Sequence, residues 1–211
     1  MQNRRHFIRK LLASTVLALA LPVLAQTAGK DYTEIQPPQA TDNPTKIEVL
    51  EFFSYGCSHC ADFHHPLSAW TAKLPADVQF RRSPVSFGRA AWANLSRLYF
   101  TLEATGDLAK LDGAVFSAIH SERVNLFEEK NIVNWVEKKG GDAKKFSDAF
   151  GSFGVMSKAK RADQMATAYR IPGTPTLVID GKYMISGKPH AEMLATAEKL
   201  IAKARAERSK K

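Results

Sequence analysis

The chain passes from a strand into a helix through the stretch Glu51-Phe52-Phe53-Ser54-Tyr55-Gly56-Cys57-Ser58-His59-Cys60. The segment from Ile47 to Phe53 is too continuously apolar for a half-exposed strand and predicts a central strand covered on both faces. A helix is predicted directly afterwards, because large apolar side chains recur at helical spacing at Phe63, Leu67, Trp70 and Leu74. The two cysteines are therefore expected at the start of a helix that follows a buried strand.

The rest of the chain divides into a strand, a helical block and a terminal hairpin with a closing helix. Residues 78–87 are a second strand candidate, and residues 88–170 have the apolar periodicity of four or five helices. Strand chemistry returns at residues 176–179, and the following Asp180-Gly181 is a strong hairpin signal. A closing helix is marked by Leu194, Ala197 and Ile201. This order predicts an α/β protein whose mixed sheet carries an inserted helical subdomain.

The composition is that of a folded globular protein. Of the 211 residues, 45% are hydrophobic and only two are cysteines, which excludes a disordered chain and a disulfide scaffold. The net charge is +9, and much of the excess lies near the C-terminus. No aromatic residues are interleaved with the basic residues of that tail, so no nucleic-acid-binding face is expected.

Residues 1–25 have the three parts of a cleaved export signal. Basic residues precede an apolar run from Leu11 to Ala25, and Val23-Leu24-Ala25 offers a cleavage site before Gln26. Asn3-Arg4-Arg5 also resembles a twin-arginine signal. However, Asn3 stands where Ser or Thr is usual and the apolar run is as hydrophobic as in an ordinary Sec signal, so the Sec route is favoured. Either route predicts a periplasmic protein, in a compartment where disulfides persist.

The spacing of Cys57 and Cys60 favours a redox-active pair over a structural bridge. A bridge between positions i and i+3 closes a very small loop and would stabilise the fold far less than one between distant segments. At a helix N-terminus, free backbone N–H groups and the helix dipole favour an anion and lower the pKa of Cys57. His59 adds an imidazole that can donate a hydrogen bond or charge to that sulfur. We therefore assign a tuning role to His59 and to its neighbour Ser58.

A zinc site is the main alternative chemistry for this segment, since His64 and His65 follow the cysteines closely. Four ligands from one continuous segment are hard to arrange as a tetrahedron, because structural zinc sites usually draw a second ligand pair from elsewhere. We therefore predict no metal ligands and interpret both histidines as exposed helix residues. Haem attachment would need a histidine directly after the second cysteine, where Ala61 stands.

The ten-residue stretch quoted above resembles the active-site sequence of the DsbA family of thiol:disulfide interchange proteins. Gly173-Thr174-Pro175-Thr176 and Asp180-Gly181-Lys182-Tyr183 extend the resemblance over nearly all of the chain after residue 25. It implies a thioredoxin fold with an inserted all-helical subdomain. The expected divisions are a signal at 1–25, a lead at 26–45, a thioredoxin-like domain at 46–87 and 171–208, and the helical insertion at 88–170.

The resemblance also implies roles for residues outside the cysteine pair. Pro175 is expected to follow a cis peptide bond beside the cysteines, so that the backbone of Thr174 turns outward and pairs with an extended substrate chain. Glu51 matches a buried acid of the family. Strand alternation puts it on the same face as Phe53, where covering helices would raise its pKa and make its proton available to Cys60. The alternative for Glu51 is a carboxylate near a strand edge that reaches water.

The function implied by the resemblance is oxidative folding of newly exported proteins. The Cys57–Cys60 disulfide would be donated to reduced or unfolded substrates without any other cofactor, and a quinone-linked membrane partner resembling DsbB would reoxidise the pair. A monomer is expected. The alternatives are a periplasmic disulfide isomerase or reductase and, outside the redox class, a metal-binding or chaperone protein. Residues 26–45 are too short for the N-terminal dimerisation domain that isomerases of this kind usually carry.

Overall fold

The computed structural model describes residues 27–210, so the export signal predicted at residues 1–25 lies outside the described residues. The strands are β1 (Thr33–Glu34), β2 (Ile47–Phe53), β3 (Val78–Pro84), β4 (Thr176–Ile179) and β5 (Tyr183–Ser186). The helices are α1 (Ser58–Thr71), α2 (Ala90–Thr105), α3 (Leu108–His120), α4 (Glu129–Lys138), α5 (Ala143–Phe150), α6 (Phe153–Ala168) and α7 (His190–Arg208).

The strands form one mixed sheet in the order β1-β5-β4-β2-β3. As the apolar run predicted, β2 lies inside the sheet and is buried along its whole length, parallel to β3 and antiparallel to β4. Asp180 and Gly181 join β4 to β5 with positive φ angles of 54° and 65°, which confirms the predicted hairpin. The cysteine segment therefore begins at the carboxyl end of an inner strand of the sheet.

Helices cover both faces of β2. Ile47 and Val49 pack with side chains of α1 and α7, whereas Leu50 and Phe52 face Ala166 and Tyr169 at the end of α6. The apolar alternation along the strand thus separates two cores, one on each side of the sheet.

The five helices α2–α6 follow one another between β3 and β4, and α2–α5 enclose a core of their own. That core reaches the cysteine segment, because it includes Phe53, Tyr55 and Cys60 together with residues of α2 and α3. The predicted α/β class with a helical insertion is confirmed.

Two local details differ from the expectation. The second strand ends at Pro84 rather than at Phe87, and the lead contains the two-residue strand β1, which pairs with β5. Such a short strand has no periodicity of its own for a sequence to reveal. Among residues 27–210, no helix combines the length and the apolar character needed to cross a bilayer.

Candidate active site

Cys57 and Cys60 occupy the start of α1 as free thiols, so the structure is that of the reduced pair. Cys57 is the N-cap residue, and its carbonyl oxygen accepts hydrogen bonds from the backbone N–H groups of Cys60 and Ala61, each at 3.1 Å. Cys57 retains 9% of its exposure, whereas Cys60 has none. An incoming thiol can therefore reach Cys57 and not Cys60.

The two thiols have opposite acidities. Hydrogen bonds from the Cys60 side chain, from the Thr174 side chain and from the backbone N–H groups of Cys60 and His59 lower the pKa of Cys57 from 9.0 to about 5, against an opposing effect of burial. Burial, followed by the hydrogen bond and the charge of Cys57, raises the pKa of Cys60 far above its ordinary value. At neutral pH the pair therefore holds one thiolate, on the more accessible sulfur.

The loop before β4 lies against this thiolate. The Thr174–Pro175 peptide bond is cis, as the family resemblance implied, and Cys57 Sγ lies 3.4 Å from the carbonyl oxygen of Thr174. Beside this contact is a cavity of about 490 Å³, lined by His59, Thr174, Pro175, His190, Met193 and neighbouring residues. Thr174 therefore belongs both to this cavity and to the contact with Cys57.

Glu51 is completely buried, so the alternative of a water-exposed carboxylate is wrong. Burial raises its pKa, although Arg82 opposes the shift with a hydrogen bond from Nε to Glu51 Oε2 at 2.6 Å. Arg82 Nη1 also donates to Asp112 Oδ2 at 2.7 Å, and its guanidinium carbon lies 3.7 Å from the centre of the Phe53 ring. The charge of Glu51 contributes to the raised pKa of Cys60, so the carboxyl and the thiol interact electrostatically.

Ser58, His59 and His64 differ in their exposure to solvent. The side chains of Ser58 and His59 are exposed, and His59 acts on Cys57 through its backbone N–H group. The interpretation of His64 as exposed is wrong: its ring is half-buried, its centre lies 5.0 Å from that of the Phe116 ring, and its Nδ1 lies 3.6 Å from Asp112 Oδ2. Burial lowers the pKa of His64. Within residues 27–210, no three His, Cys, Asp or Glu side chains are placed to hold a metal ion.

The sequence reasoning missed Arg82, Asp112 and Trp92. Arg82 stands directly opposite Glu51 in the β2–β3 register, so pairing the two predicted strands in parallel would have brought it to the site. Asp112 comes from α3, and the indole of Trp92 packs over Gly56 from α2. No local sequence pattern predicts the contacts of Asp112 and Trp92, since both depend on how the inserted helices dock.

Comparisons with known proteins agree with this geometry. A family model described as the DSBA-like thioredoxin domain matches residues 48–198. Proteins named thiol:disulfide interchange protein DsbA from Bordetella parapertussis and Pseudomonas aeruginosa are each 38% identical over 94% of this chain, covering 97% and 98% of their own lengths.

Solved structures give the same result. The crystal structure of Pseudomonas aeruginosa DsbA matches with a TM-score of 0.83 at 39% identity, covering 88% of this chain and 97% of that chain. The structure of oxidoreductase DsbA from Xylella fastidiosa matches with a TM-score of 0.80 at 31% identity, covering 86% of this chain and 98% of that chain.

Proposed function

The chain belongs to the DSBA-like thioredoxin domain family, and we propose that it oxidises the cysteines of exported proteins with a disulfide held by Cys57 and Cys60. Its relatives are thiol:disulfide interchange proteins, which makes it an oxidoreductase of this class. The observation that carries the residue assignment is the position of Cys57 at the N-cap of α1, partly accessible beside a fully buried Cys60. This arrangement lowers the pKa of Cys57 to about 5 and raises that of Cys60. A sulfur that is stable as a thiolate is a good leaving group, so the disulfide is readily given away.

The reaction proceeds by two thiolate attacks. In the oxidised protein a substrate thiolate attacks Cys57 Sγ, forms a mixed disulfide and releases Cys60, which takes up a proton. A second thiolate of the substrate then attacks the substrate sulfur of the mixed disulfide, and Cys57 leaves as a thiolate. The substrate ends with a disulfide and the protein with the dithiol seen in the structure.

Glu51 is proposed to exchange the proton of Cys60. Cys60 has no exposure to water, so its proton needs a carrier within the protein. Glu51 is buried with a raised pKa and is coupled electrostatically to Cys60, which are the properties that a general acid at this position requires. Arg82 holds the carboxyl group in place through its bond to Oε2.

Thr174 and Pro175 are proposed to bind the substrate main chain. The loop they form borders the cavity next to Cys57, and an extended peptide there can pair with the backbone of Thr174 as an added strand. His59 and Ser58 are proposed to tune the pair. The contribution that the structure supports for His59 is its N–H group at the start of α1, which stabilises the thiolate whatever the charge of the ring.

The partners and location follow from the same proposal. Substrates are reduced or unfolded proteins exported to the periplasm, and a quinone-linked membrane protein resembling DsbB returns the pair to the disulfide. We also propose that the protein is exported through the Sec route, is cleaved after residue 25 and acts as a monomer. The support for export is the sequence pattern of residues 1–25.

Trapping tests the assignment of the two cysteines. In Cys60→Ala the Cys57 thiolate can attack a disulfide of an oxidised substrate protein and displace one substrate thiolate, and no Cys60 thiol is present to release the mixed disulfide that results, so substrate proteins should accumulate as covalent complexes that a reductant dissolves. Cys57→Ala is the matched control and should trap none. Equal trapping by the two variants, or none by either, would remove Cys57 from the role of attacked sulfur.

A further inference from the structure

Asp112 is an acidic residue of the inserted helices that reaches the buried ion pair of Glu51 and Arg82. It lies on α3, and its side chain is 18% exposed. Arg82 Nη1 donates to Asp112 Oδ2 at 2.7 Å, while Arg82 Nε donates to Glu51 Oε2 at 2.6 Å. One guanidinium is thus shared between an acid of the sheet and an acid of the helical insertion. The reaction proposed above gives Asp112 no role.

The shared guanidinium leaves one oxygen of Glu51 without a partner. Arginine–carboxylate pairs are frequently bidentate, with two parallel N–H···O bonds. Here Glu51 Oε1 and Arg82 Nη2 are both buried, and neither has a hydrogen-bond partner within residues 27–210. The pair therefore has one bond where two are common, and Asp112 holds the terminal nitrogen on the far side of the guanidinium. A second bond to Arg82 would stabilise the charged form of Glu51 further.

Contacts from two other segments fix the Asp112 carboxylate. The hydroxyl of the buried Tyr55 donates to Asp112 Oδ1 at 2.5 Å, and His64 Nδ1 of α1 lies 3.6 Å from Oδ2. The far end of α3 holds the same loop again, since His120 Nε2 lies 2.7 Å from the carbonyl oxygen of Tyr55. Asp112 is therefore held toward Arg82 by a helix anchored on the segment that leads into the cysteines.

The electrostatic effect of Asp112 on Glu51 has the same sign as that of burial. Burial raises the pKa of Glu51, Arg82 lowers it, and the charges of Asp112 and Cys57 raise it. Neighbouring like charges oppose each other's ionisation, so the Asp112 charge favours the protonated form of Glu51. The groups that face the two acids come from every element packed around them: Arg82 from β3, Tyr55, Cys57, Cys60 and His64 from the cysteine segment and α1, and Tyr99 from α2.

We propose that Asp112 is a positioning residue for the interchange reaction: by holding Arg82 Nη1, it prevents a two-bond grip on Glu51 and keeps Glu51 Oε1 free to exchange the proton of Cys60. This inference rests on the proton exchange proposed above and assigns its control to the inserted helices. Without the Asp112 charge, Arg82 closes a second bond to Glu51 and holds that carboxyl group in its charged form.

A carbon-13 NMR titration of the Glu51 carboxyl group measures this control without any interchange reaction. The disulfide form is used, because neither cysteine titrates in it. Asp112→Asn keeps the size of the side chain and removes its charge, and it should lower the midpoint of Glu51 by about one pH unit. Asp112→Ser should shift the midpoint in the same direction if the first variant does not fold. Asp112→Glu, which restores a carboxylate, should recover most of the shift.

Asp107→Asn is the matched control. It removes the same charge from the start of the same helix, where the Asp107 side chain accepts a hydrogen bond from Thr105 Oγ1 at 2.6 Å and is not bound to Arg82. Asparagine is as good an N-cap residue as aspartate, so α3 should be equally stable in this variant. The Glu51 midpoint should stay in place.

The closing rate of a mixed disulfide between Cys57 and glutathione tests whether Asp112 acts through Glu51. Asp112→Asn should move the inflection of the pH profile to lower pH and slow closing severalfold at neutral pH, because a weaker base accepts the proton less readily. In a Glu51→Gln background the same substitution should change the rate by less than about twofold, since the group on which it acts is gone.

Three results would overturn the role of Asp112: a Glu51 midpoint that is the same in Asp112→Asn as in the parent, an equal shift in Asp107→Asn, or equal slowing of closure with and without Glu51. Failure of the proposed proton exchange gives a different result. Glu51→Gln would then leave the closing rate and its pH profile unchanged, and this would overturn the role of Asp112 in interchange even where the NMR midpoint moves.

Discussion

Arg82 Nε donates a 2.6 Å hydrogen bond to Glu51 Oε2 inside a site where Glu51 has no exposure to solvent. The two residues are direct neighbours in the parallel β2–β3 register. Glu51 is therefore half of an ion pair, and its pKa is a balance in which burial outweighs the attraction of Arg82. The proposed proton exchange between Glu51 and Cys60 depends on this balance.

Removing the cation should destabilise the protein strongly. Arg82→Met leaves Glu51 and Asp112 without their shared partner, and breaking a buried ion pair in this way costs about 3–5 kcal/mol. Urea unfolding of the reduced protein would measure the loss. Arg205→Met is the control, because Arg205 pairs with Asp77 on the surface at 2.7 Å and should matter little. Similar losses of unfolding free energy in the two variants would mean that the buried Arg82 pair stabilises the protein no more than an exposed pair does.

Glu51→Gln should change the pH dependence of the interchange reaction. When Cys60 attacks a mixed disulfide between Cys57 and glutathione, it must give up its proton, which we propose Glu51 accepts. We expect the closing rate at neutral pH to fall about 100-fold, as is typical for loss of a general acid–base group. The inflection that reports Glu51, displaced above the ordinary carboxyl range because burial raises its pKa, should disappear.

Glu48→Gln provides the matched control for that experiment. Glu48 is a second buried carboxylate on β2, but it faces the other side of the sheet and pairs with Arg81. Its variant should unfold more easily and yet keep the pH profile of the closing rate. An unchanged profile in Glu51→Gln would exclude the proton-transfer role.

Thr174→Val should raise the pKa of Cys57. The side chain of Thr174 contributes a hydrogen bond that lowers this pKa, and valine cannot supply it. Titration of the thiolate absorbance should show a midpoint of about 5 in the parent protein and a higher one in the variant. Thr176→Val, which loses a 2.8 Å hydrogen bond to the Gly173 carbonyl, should leave the midpoint in place. A Thr174→Val midpoint at or below 5 would show that the hydroxyl is unimportant.

Gly56→Ala should disturb the segment before the cysteines. A Cβ atom at Gly56 would lie 2.6 Å from Trp92 Nε1, so the indole or the loop must move. Overpacking of this kind costs about 1–3 kcal/mol, and the interchange rate should fall with it. Gly173→Ala serves as the comparison, since its Cβ would meet no heavy atom within 4 Å. If both variants unfold at the same urea concentration, the contact with Trp92 is too loose to matter.

The central strand, the hairpin and the position of the cysteines could be predicted from the sequence because each has a local sequence signal. The apolar run of β2, Asp180-Gly181 and the pair Cys57 and Cys60 can be recognised without knowing the rest of the chain. Arg82 and Asp112 reach Glu51 only after strand pairing and helix docking, which no local pattern encodes. His64 was placed wrongly for the same reason, since the helix that half-buries it, α3, begins 44 residues further along the chain.

The most direct measurement is the equilibrium between the Cys57–Cys60 disulfide and glutathione buffers, read by thiol alkylation. Lowering the pKa of Cys57 from 9.0 to about 5 stabilises the reduced form at neutral pH by about 3 kcal/mol, which is about 60 mV in a two-electron couple. This stabilisation moves the reduction potential in the oxidising direction, and for an oxidase we predict a potential more oxidising than that of the glutathione couple. A strongly reducing value would contradict the oxidase function, and so would a pair that never forms a disulfide.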